Sequence, residues 1–195
     1  MRTSFEIILK EVTRFLNENL PEHLSYHNTA HTLYVLDRAI HIAKKENVNG
    51  HDLQLIKIAA LYHDIGFTVS HIEHEKEGCK IARKQLKKHQ FSLEDIDIIC
   101  GMIMATKIPQ QPKTLLEQII ADADLEYLAT AHFNIVANKL YDELKYYNPK
   151  LTIAEWNTIQ LEFMKSHKYH TRFCRQYKTF RKQNNIKRLK KRSLN

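Results

Sequence analysis

The amino-acid sequence predicts an all-α protein built as a single domain, and three observations support that fold class. The chain has 195 residues, a length typical of one domain that buries about 70% of its unfolded surface. Hydrophobic residues make up 43% of the composition, and only 4 Gly and 4 Pro are present. Apolar residues recur with the period of a helix, whereas no segment alternates long enough to predict a strand.

We expect a helical bundle of about eight helices. The first helix follows the apolar period from Phe5 to Leu16, and the second is expected over 28–45. The other expected helices span 52–64, 72–88, 93–107, 114–128, 131–147 and 152–168. Ser92, Thr114 and Thr152 stand where an N-cap is needed, since their side chains accept hydrogen bonds from the first helical turn.

The segment 52–64 is the expected central helix. It reads DLQLIKIAALYHD and is apolar nearly all round, a pattern typical of a helix that is packed on most sides. Gly66 follows it and is a candidate for the left-handed residue that ends a helix.

The positive charge is concentrated at one end of the chain. The formal net charge is +8, yet residues 163–195 hold 12 Lys and Arg and no acidic residue, so residues 1–162 carry a net charge of −4. We therefore expect a folded domain over 1–175 and a basic C-terminal tail over 176–195. The tail also contains Tyr177 and Phe180. Nucleic-acid binding and a solvated helical extension are both open, and the second is the simpler interpretation.

The cysteine content and the hydropathy of the sequence indicate the cellular compartment in which we expect the protein. Cys79, Cys100 and Cys174 are odd in number, widely spaced and in no CxxC pattern, which favours neither disulfides nor a thiolate zinc site. No window approaches the roughly 20 apolar residues that a membrane span needs. The expectation is a cytoplasmic protein with no membrane partner.

The adjacent pair His63-Asp64 is the first candidate for chemistry. The apolar run before it brings two polar side chains to the end of a buried helix, which is costly unless both are satisfied. A divalent metal satisfies both, because a neutral imidazole and a carboxylate are suitable ligands. The alternative is a helix end whose side chains point to solvent.

Two further groups support a metal site. His27 and His31 are four residues apart and share one face if their segment is helical. Asp122 and Asp124 end another apolar helical stretch. The mixed nitrogen and oxygen set suits Mn²⁺, Fe²⁺, Mg²⁺, Zn²⁺ or Ni²⁺, with no soft ligand to force a choice.

The order H…HD…D resembles the HD-domain superfamily of metal-dependent phosphohydrolases. Matching segments extend from about Tyr26 to His170: YHNTAHTLYVL, ALYHDIGF, SHIEHEKEG, IMATKIP, ADADLEYL and FMKSHKYHT. They are similar to small HD phosphohydrolases and to HD domains attached to some nucleotide cyclases. The resemblance implies hydrolysis of a phosphate ester or phosphoanhydride in a small phosphorylated substrate such as a nucleotide. A catalytically inactive HD domain that senses nucleotides is the alternative.

The resemblance also implies which residues bind the metal. His31, His63 and Asp64 match the ligands of the family, and the last ligand matches an aspartate of the run Asp122-Ala123-Asp124. We favour Asp122, which follows Ile-Ile-Ala as that ligand usually does, and leave Asp124 a supporting or substrate role. Asp124 stays open as the alternative.

Catalytic and additional roles follow from the same resemblance. YHNxxH is similar to a segment of cyclic-nucleotide phosphodiesterases whose first histidine is the general acid, which implies that His27 donates a proton. A residue that only packs beside Tyr26 is the alternative. His74 and Glu75 resemble residues that bind a second metal or the substrate in two-metal members. Thr106 and Lys107 follow an apolar helix and precede Pro109, so they are candidates for contact with the substrate, and Lys107 is the candidate phosphate contact. A solvated lysine is the simpler interpretation. The substrate and the oligomeric state are not fixed by the sequence.

Overall fold

The computed structural model describes residues 4–192, and this part of the chain contains ten α-helices, two short 3₁₀ turns and no strand. The helices are α1 Ser4–Asn19, α2 Thr29–Lys45, α3 Gly50–Tyr62, α4 His74–Lys88, α5 Leu93–Ala105, α6 Leu115–Asp124, α7 Phe133–Tyr147, α8 Ile153–Ser166, α9 Arg172–Tyr177 and α10 Thr179–Arg192. The 3₁₀ turns are Ile65–Thr68 and Glu126–Ala129. The predicted all-α fold is confirmed. The helix count exceeds eight because the basic C-terminal segment forms α9 and α10.

The helix α3 lies at the centre of the fold and packs against α1, α2, α5 and α6. Its residues Leu55, Ile58, Ala60 and Leu61 are buried on different sides, in agreement with the apolar pattern. Burial of each large aliphatic side chain stabilises the fold by about 1.5 to 3 kcal/mol. The end of α3 is thereby fixed, and this end carries His63 and Asp64.

Side-chain caps fix where several helices begin. The Asn28 side chain accepts hydrogen bonds from the backbone N–H groups of Ala30 and His31, at 3.0 and 3.2 Å. This cap sets the first turn of α2 and therefore the position of His31. The predicted caps at Ser92, Thr114 and Thr152 are present, and the last two form capping boxes with the glutamates at the third helical position.

Gly66 is needed for close packing. The expectation that it supplies a left-handed residue at the end of the helix was wrong. Among the described glycines only Gly50 has a positive φ. A Cβ atom on Gly66 would lie 1.8 Å from the carbonyl oxygen of His74 and 2.7 Å from the amide nitrogen of Gly78. The absence of a side chain therefore lets the turn after Asp64 lie directly against α4.

The basic C-terminal residues form part of the packed body. The helix α10 contacts α8 and the second 3₁₀ turn, and Lys182, Asn185 and Leu189 are buried. The Asn185 amide donates to the carbonyl oxygens of Leu128 and Thr130, both at 2.9 Å. Residues 193–195 of the predicted tail lie outside the described part, and the division at 175/176 stays a prediction. In the part of the chain described, no helix has the length and apolar character needed to cross a bilayer.

Candidate metal centre

Four side chains from three helical segments meet in the interior. His31 comes from the first turn of α2, His63 and Asp64 directly follow α3, and Asp124 is the last residue of α6. His63 is fully buried, His31 and Asp64 are buried, and Asp124 is partly exposed. The packing of α3 against α2 and α6 brings these helix ends together.

The distances within this cluster suit one metal ion. The Nε2 atom of His31 lies 3.1 Å from Asp124 Oδ1, 3.4 Å from His63 Nε2 and 3.4 Å from Asp64 Oδ2. His63 Nε2 lies 3.0 Å from Asp64 Oδ2 and 3.7 Å from Asp124 Oδ1. Ligand atoms about 2.1 Å from a common ion are separated by about 3.0 Å at right angles and about 3.4 Å at the tetrahedral angle. The histidine nitrogens and a carboxylate oxygen of Asp124 lie within 4.8 Å of one another and therefore fit a divalent ion, and Asp64 Oδ2 adjoins both nitrogens.

The hydrogen bonding around the cluster leaves its metal-binding atoms available. His63 Nδ1 lies 2.9 Å from the carbonyl oxygen of Ala60, which only accepts, so Nδ1 carries a hydrogen and Nε2 is the nitrogen that has a lone pair in the neutral ring. The Oδ2 atom of Asp64 is buried and receives no hydrogen bond from the described residues. A buried carboxylate oxygen without a donor is costly, and a cation at this position satisfies it.

The electrostatics of the cluster favour positive charge. Burial lowers the pKa of His63, but the carboxylates of Asp64 and Asp124 outweigh burial and raise that pKa to about 9. Burial raises the pKa of Asp64, whereas His63 and its neighbouring histidines lower it, with a net decrease. The two carboxylates thus create a negative potential that attracts a cation.

The structure separates the two aspartates of the DAD run: Asp124, the alternative, lies in the cluster, whereas the preferred Asp122 does not. The Asp122 carboxylate is fully buried and accepts hydrogen bonds from His170 N at 2.8 Å, Thr171 N at 2.8 Å and Thr171 Oγ1 at 2.6 Å. Residues two apart on a helix point in nearly opposite directions. Asp124 consequently lies beside the histidines, while Asp122 holds the start of α9.

His27 is paired with a residue that the sequence analysis missed. Its Nδ1 atom donates to Oε1 of Glu143, and the other oxygen of Glu143 accepts from the backbone N–H groups of Tyr26 and His27 at 2.9 and 3.0 Å. Glu143 is 2% exposed. Burial lowers the pKa of His27, but the hydrogen bond with Glu143 and the charge of Asp64 raise it, with a net increase. A signal existed, because Glu143 lies on the face of α7 that also buries Phe133 and Ala137.

The remaining predicted residues fall into two groups. His74 and the buried Glu75 lie near the cluster, since His74 Nε2 is 3.5 Å from both Asp64 Oδ1 and Glu75 Oε1. Thr106 is buried, and its hydroxyl donates to a backbone carbonyl of α5. Lys107 is half-buried, and its Nζ lies 3.4 Å from Glu73 Oε1. The described contacts of Thr106 and Lys107 thus include no residue of the cluster.

Aromatic rings surround this centre. Phe67 stacks on His27 with ring centroids 4.2 Å apart and on His74 with centroids 4.0 Å apart. Four further rings form a partly exposed group, which we call the aromatic wall: His23, His71, Tyr146 and Tyr147. Their segments are those that also carry His27, His74 and Glu143. The wall is therefore linked to His27, His74 and Glu143 through short stretches of chain.

A cavity of about 230 Å³ is lined in part by His31. Its lining is mainly apolar and aromatic, and includes Tyr26, Tyr34, Tyr127 and Val136. Lys139 supplies one positive charge at this cavity.

Comparisons with known proteins agree with this architecture. The family model for the HD domain matches residues 29–126, about half of the chain and the part that contains all four residues of the cluster. A search of curated proteins gave no match.

Solved structures share the fold at low sequence identity. YpgQ of Bacillus subtilis in complex with ADP has a TM-score of 0.65 at 19% identity, and the match covers 96% of this chain and 94% of that one. A Lactobacillus plantarum protein has a TM-score of 0.70 at 17% identity, with 98% and 97% covered. A predicted HD superfamily hydrolase from an uncultured Thermotogales bacterium has a TM-score of 0.56 at 22% identity, with 80% and 88% covered.

Proposed function

Since the chain belongs to the HD-domain family, we propose that it is a divalent-metal-dependent phosphohydrolase. The reaction is cleavage of a phosphate ester or phosphoanhydride in a nucleotide or a related small molecule. The observation that carries the proposal is the convergence of two imidazoles with two carboxylates, whose oxygens lie 3.0 to 3.7 Å from the imidazole nitrogens.

His31, His63, Asp64 and Asp124 would hold the ion. A bound divalent ion supplies the Lewis acidity and the acidification of water that hydrolysis of phosphate esters requires. The backbone carbonyl of Ala60 keeps the His63 ring in the tautomer whose Nε2 faces the cluster. Asp64 supplies negative charge at both of its oxygens, because Oδ2 faces His63 and Oδ1 faces His74.

His27 is proposed as the general acid that protonates the leaving oxygen. Glu143 holds the hydrogen on Nδ1 and stabilises the protonated ring, so Nε2 is the atom that transfers a proton. A buried carboxylate paired with the histidine favours this role over simple packing beside Tyr26, because packing alone does not require a charge. The same pair favours an enzyme over a nucleotide sensor.

The surroundings of the centre support a nucleotide as substrate. The exposed ring of Tyr146 in the aromatic wall offers a surface on which a nucleobase can stack. YpgQ, which has the same fold, has been crystallised with ADP. His74 and Glu75 are proposed to bind a second cation or a phosphate-bound cation beside Asp64. Lys107 keeps a proposed role as a phosphate contact at the rim.

A metal analysis combined with a phosphate-release screen tests the proposal. The purified protein would be assayed with Mn²⁺, Mg²⁺ and Ni²⁺ against nucleoside mono-, di- and triphosphates, cyclic nucleotides and simple phosphate esters. We expect bound metal and turnover of at least one nucleotide, and loss of both in Asp64→Asn. The exposed Asp142→Asn serves as the matched control. Turnover by Asp64→Asn at the wild-type rate would overturn the proposal. No turnover, together with a nucleotide-induced rise in Tm, would instead identify a sensor.

A further inference from the structure

A second concave site lies apart from the metal centre, between α2 and α10. We call it the α2–α10 groove, and its volume is about 700 Å³. This volume falls within the roughly 300 to 1,000 Å³ typical of small-molecule sites. The polar side chains that line it include Arg38, Glu126, Lys178, Arg181, Asn184 and Arg188.

The negative charges of the groove are already matched. Both oxygens of Glu126 are engaged, one by the hydroxyl of Tyr34 and the other by the ammonium of Lys178. Asp37 is paired with the neighbouring Arg38. Glu126 is 2% exposed, and its negative charge at the base of the groove is neutralised by Lys178.

Two guanidinium groups at the groove, those of Arg181 and Arg188, have no acidic partner among the described residues. Among residues 4–192, no carboxylate lies within ion-pair distance of Arg181 or Arg188, and both side chains are exposed. They are seven residues apart on α10, so they share one face and stand about 10 Å apart along the helix axis. Asn184 lies between them and Arg38 contributes from α2. The groove therefore carries the positive charge of Arg181 and Arg188, while its acidic residues are already paired with other cations.

The helix that carries these arginines is held in place. The Asn185 amide donates to the carbonyl oxygens of Leu128 and Thr130, and Leu189 is buried against the body. A fixed helix presents its guanidinium groups with little loss of freedom on binding, and guanidinium groups bind phosphate oxygens through paired N–H donors.

We propose that the α2–α10 groove binds a condensed phosphate chain, as found in inorganic polyphosphate or in a nucleoside polyphosphate. The spacing of Arg181 and Arg188 suits a ligand with several phosphoryl groups better than a single phosphate. The groove is connected to the metal centre through short stretches of chain, because Tyr34 follows His31 by one helical turn and Glu126 follows Asp124 by two residues. The proposal does not depend on catalysis at the metal centre.

The test measures binding of inorganic tripolyphosphate to the full chain by isothermal titration calorimetry in EDTA, so that no cation bridges the probe to the metal centre. We expect Arg181→Ala/Arg188→Ala to weaken binding at least about tenfold, which corresponds to about 1.4 kcal/mol. The control is Lys187→Ala/Lys190→Ala, which removes the same charge from exposed positions of α10 outside the groove, and we expect a change of less than about twofold. Asp64→Asn should bind the probe as wild type does.

The outcomes distinguish binding in the groove from nonspecific electrostatic attraction to α10 and from binding at the metal centre. Equal losses in the two double variants, or no loss in the arginine variant, would overturn the proposal. Loss of binding in Asp64→Asn alone would place the probe at the metal centre and would overturn it as well. ATP binding as tight as tripolyphosphate identifies the phosphate chain as the recognised part, and tighter ATP binding adds the nucleoside. A single-stranded oligonucleotide that binds far more tightly than both, and only with the arginines intact, would replace the proposed ligand by nucleic acid.

Discussion

The imidazole of His27 and the carboxylate of Glu143 form a hydrogen-bonded pair although 116 residues separate them in the sequence. Glu143 also accepts from the backbone N–H groups of Tyr26 and His27, so it fixes both the ring and the loop that carries it. The start of α2 and the end of α7 are thereby joined beside the metal centre. If His27 donates a proton during hydrolysis, the strength of this donor depends on Glu143.

Replacement of Glu143 by Gln should change the pH dependence of phosphate release. Glu143 raises the pKa of His27, so the protonated ring persists to higher pH and activity falls as the pH rises through that pKa. In Glu143→Gln the fall should begin at lower pH, and kcat at neutral pH should drop by about 10- to 100-fold. Metal content should be unchanged. The exposed Glu162→Gln is the control, and an unaltered pH profile in Glu143→Gln would contradict the role of the pair.

The two aspartates of the DAD run should give opposite results. Asp124→Asn should lose bound metal and phosphatase activity with little change in the free energy of unfolding, because its carboxylate is partly exposed. Asp122→Asn should lower that free energy by about 2 to 4 kcal/mol, since the NH2 group of its new amide would face one of the backbone N–H donors, that of His170 or that of Thr171, in a buried setting. Mass spectrometry measures the bound metal of each variant and urea unfolding measures its stability, and together they distinguish the two variants. A metal-free but fully stable Asp122→Asn protein would reverse the assignment.

Gly66→Ala should destabilise the protein more than an ordinary glycine substitution. The added Cβ would overlap backbone atoms of α4, at 1.8 Å from the His74 carbonyl oxygen, so the turn and the helix must move apart. We expect a loss of about 3 kcal/mol or more in urea unfolding and reduced metal binding at Asp64. Gly101→Ala is the control, since its Cβ meets only the end of the Glu117 side chain at 3.2 Å. Equal stability of the two variants would show that the turn adapts freely.

His167 should make stability depend on pH below neutrality. Burial, together with the nearby charge of Lys182, lowers its pKa to about 3, whereas an unfolded histidine titrates at about 6.5. The unfolded state therefore takes up the proton first, and the free energy of unfolding falls as the pH drops below about 6.5. Between pH 6.5 and 5 the loss should be about 1 to 2 kcal/mol. Urea unfolding of wild type and His167→Gln at both pH values checks this, and equal losses in the two proteins would refute it.

Most residues of the candidate metal centre could be predicted from short segments of the sequence. His63 and Asp64 follow an apolar helix within the same short segment, and His31 lies in a recognisable motif. The choice between Asp122 and Asp124 could not be made locally, because the partners of Asp122 lie 48 and 49 residues further along the chain. Glu143 was missed for a similar reason, since its partner is still more distant.

In the C-terminal segment, composition alone predicted the wrong environment for several residues. Its Lys and Arg content suggested a solvated extension, yet Lys182, Asn185 and Leu189 recur at helical spacing and form a buried face. Composition described the charge of the segment correctly, while its periodicity carried the information about packing. The groove with α2 exists only because α10 is docked.

The hydrogen bonds between Asp122 and Thr171 also bear on the order of events during synthesis. Asp122 emerges well before the residues that satisfy it, and at about 5 to 20 residues per second the delay is roughly 2 to 10 s. During that interval the carboxylate has none of its three donors, and a buried site would penalise it. The end of α6, which carries Asp124, is therefore expected to settle only after the ribosome has delivered α9. A nascent chain halted before Thr171 should be unable to complete the metal centre.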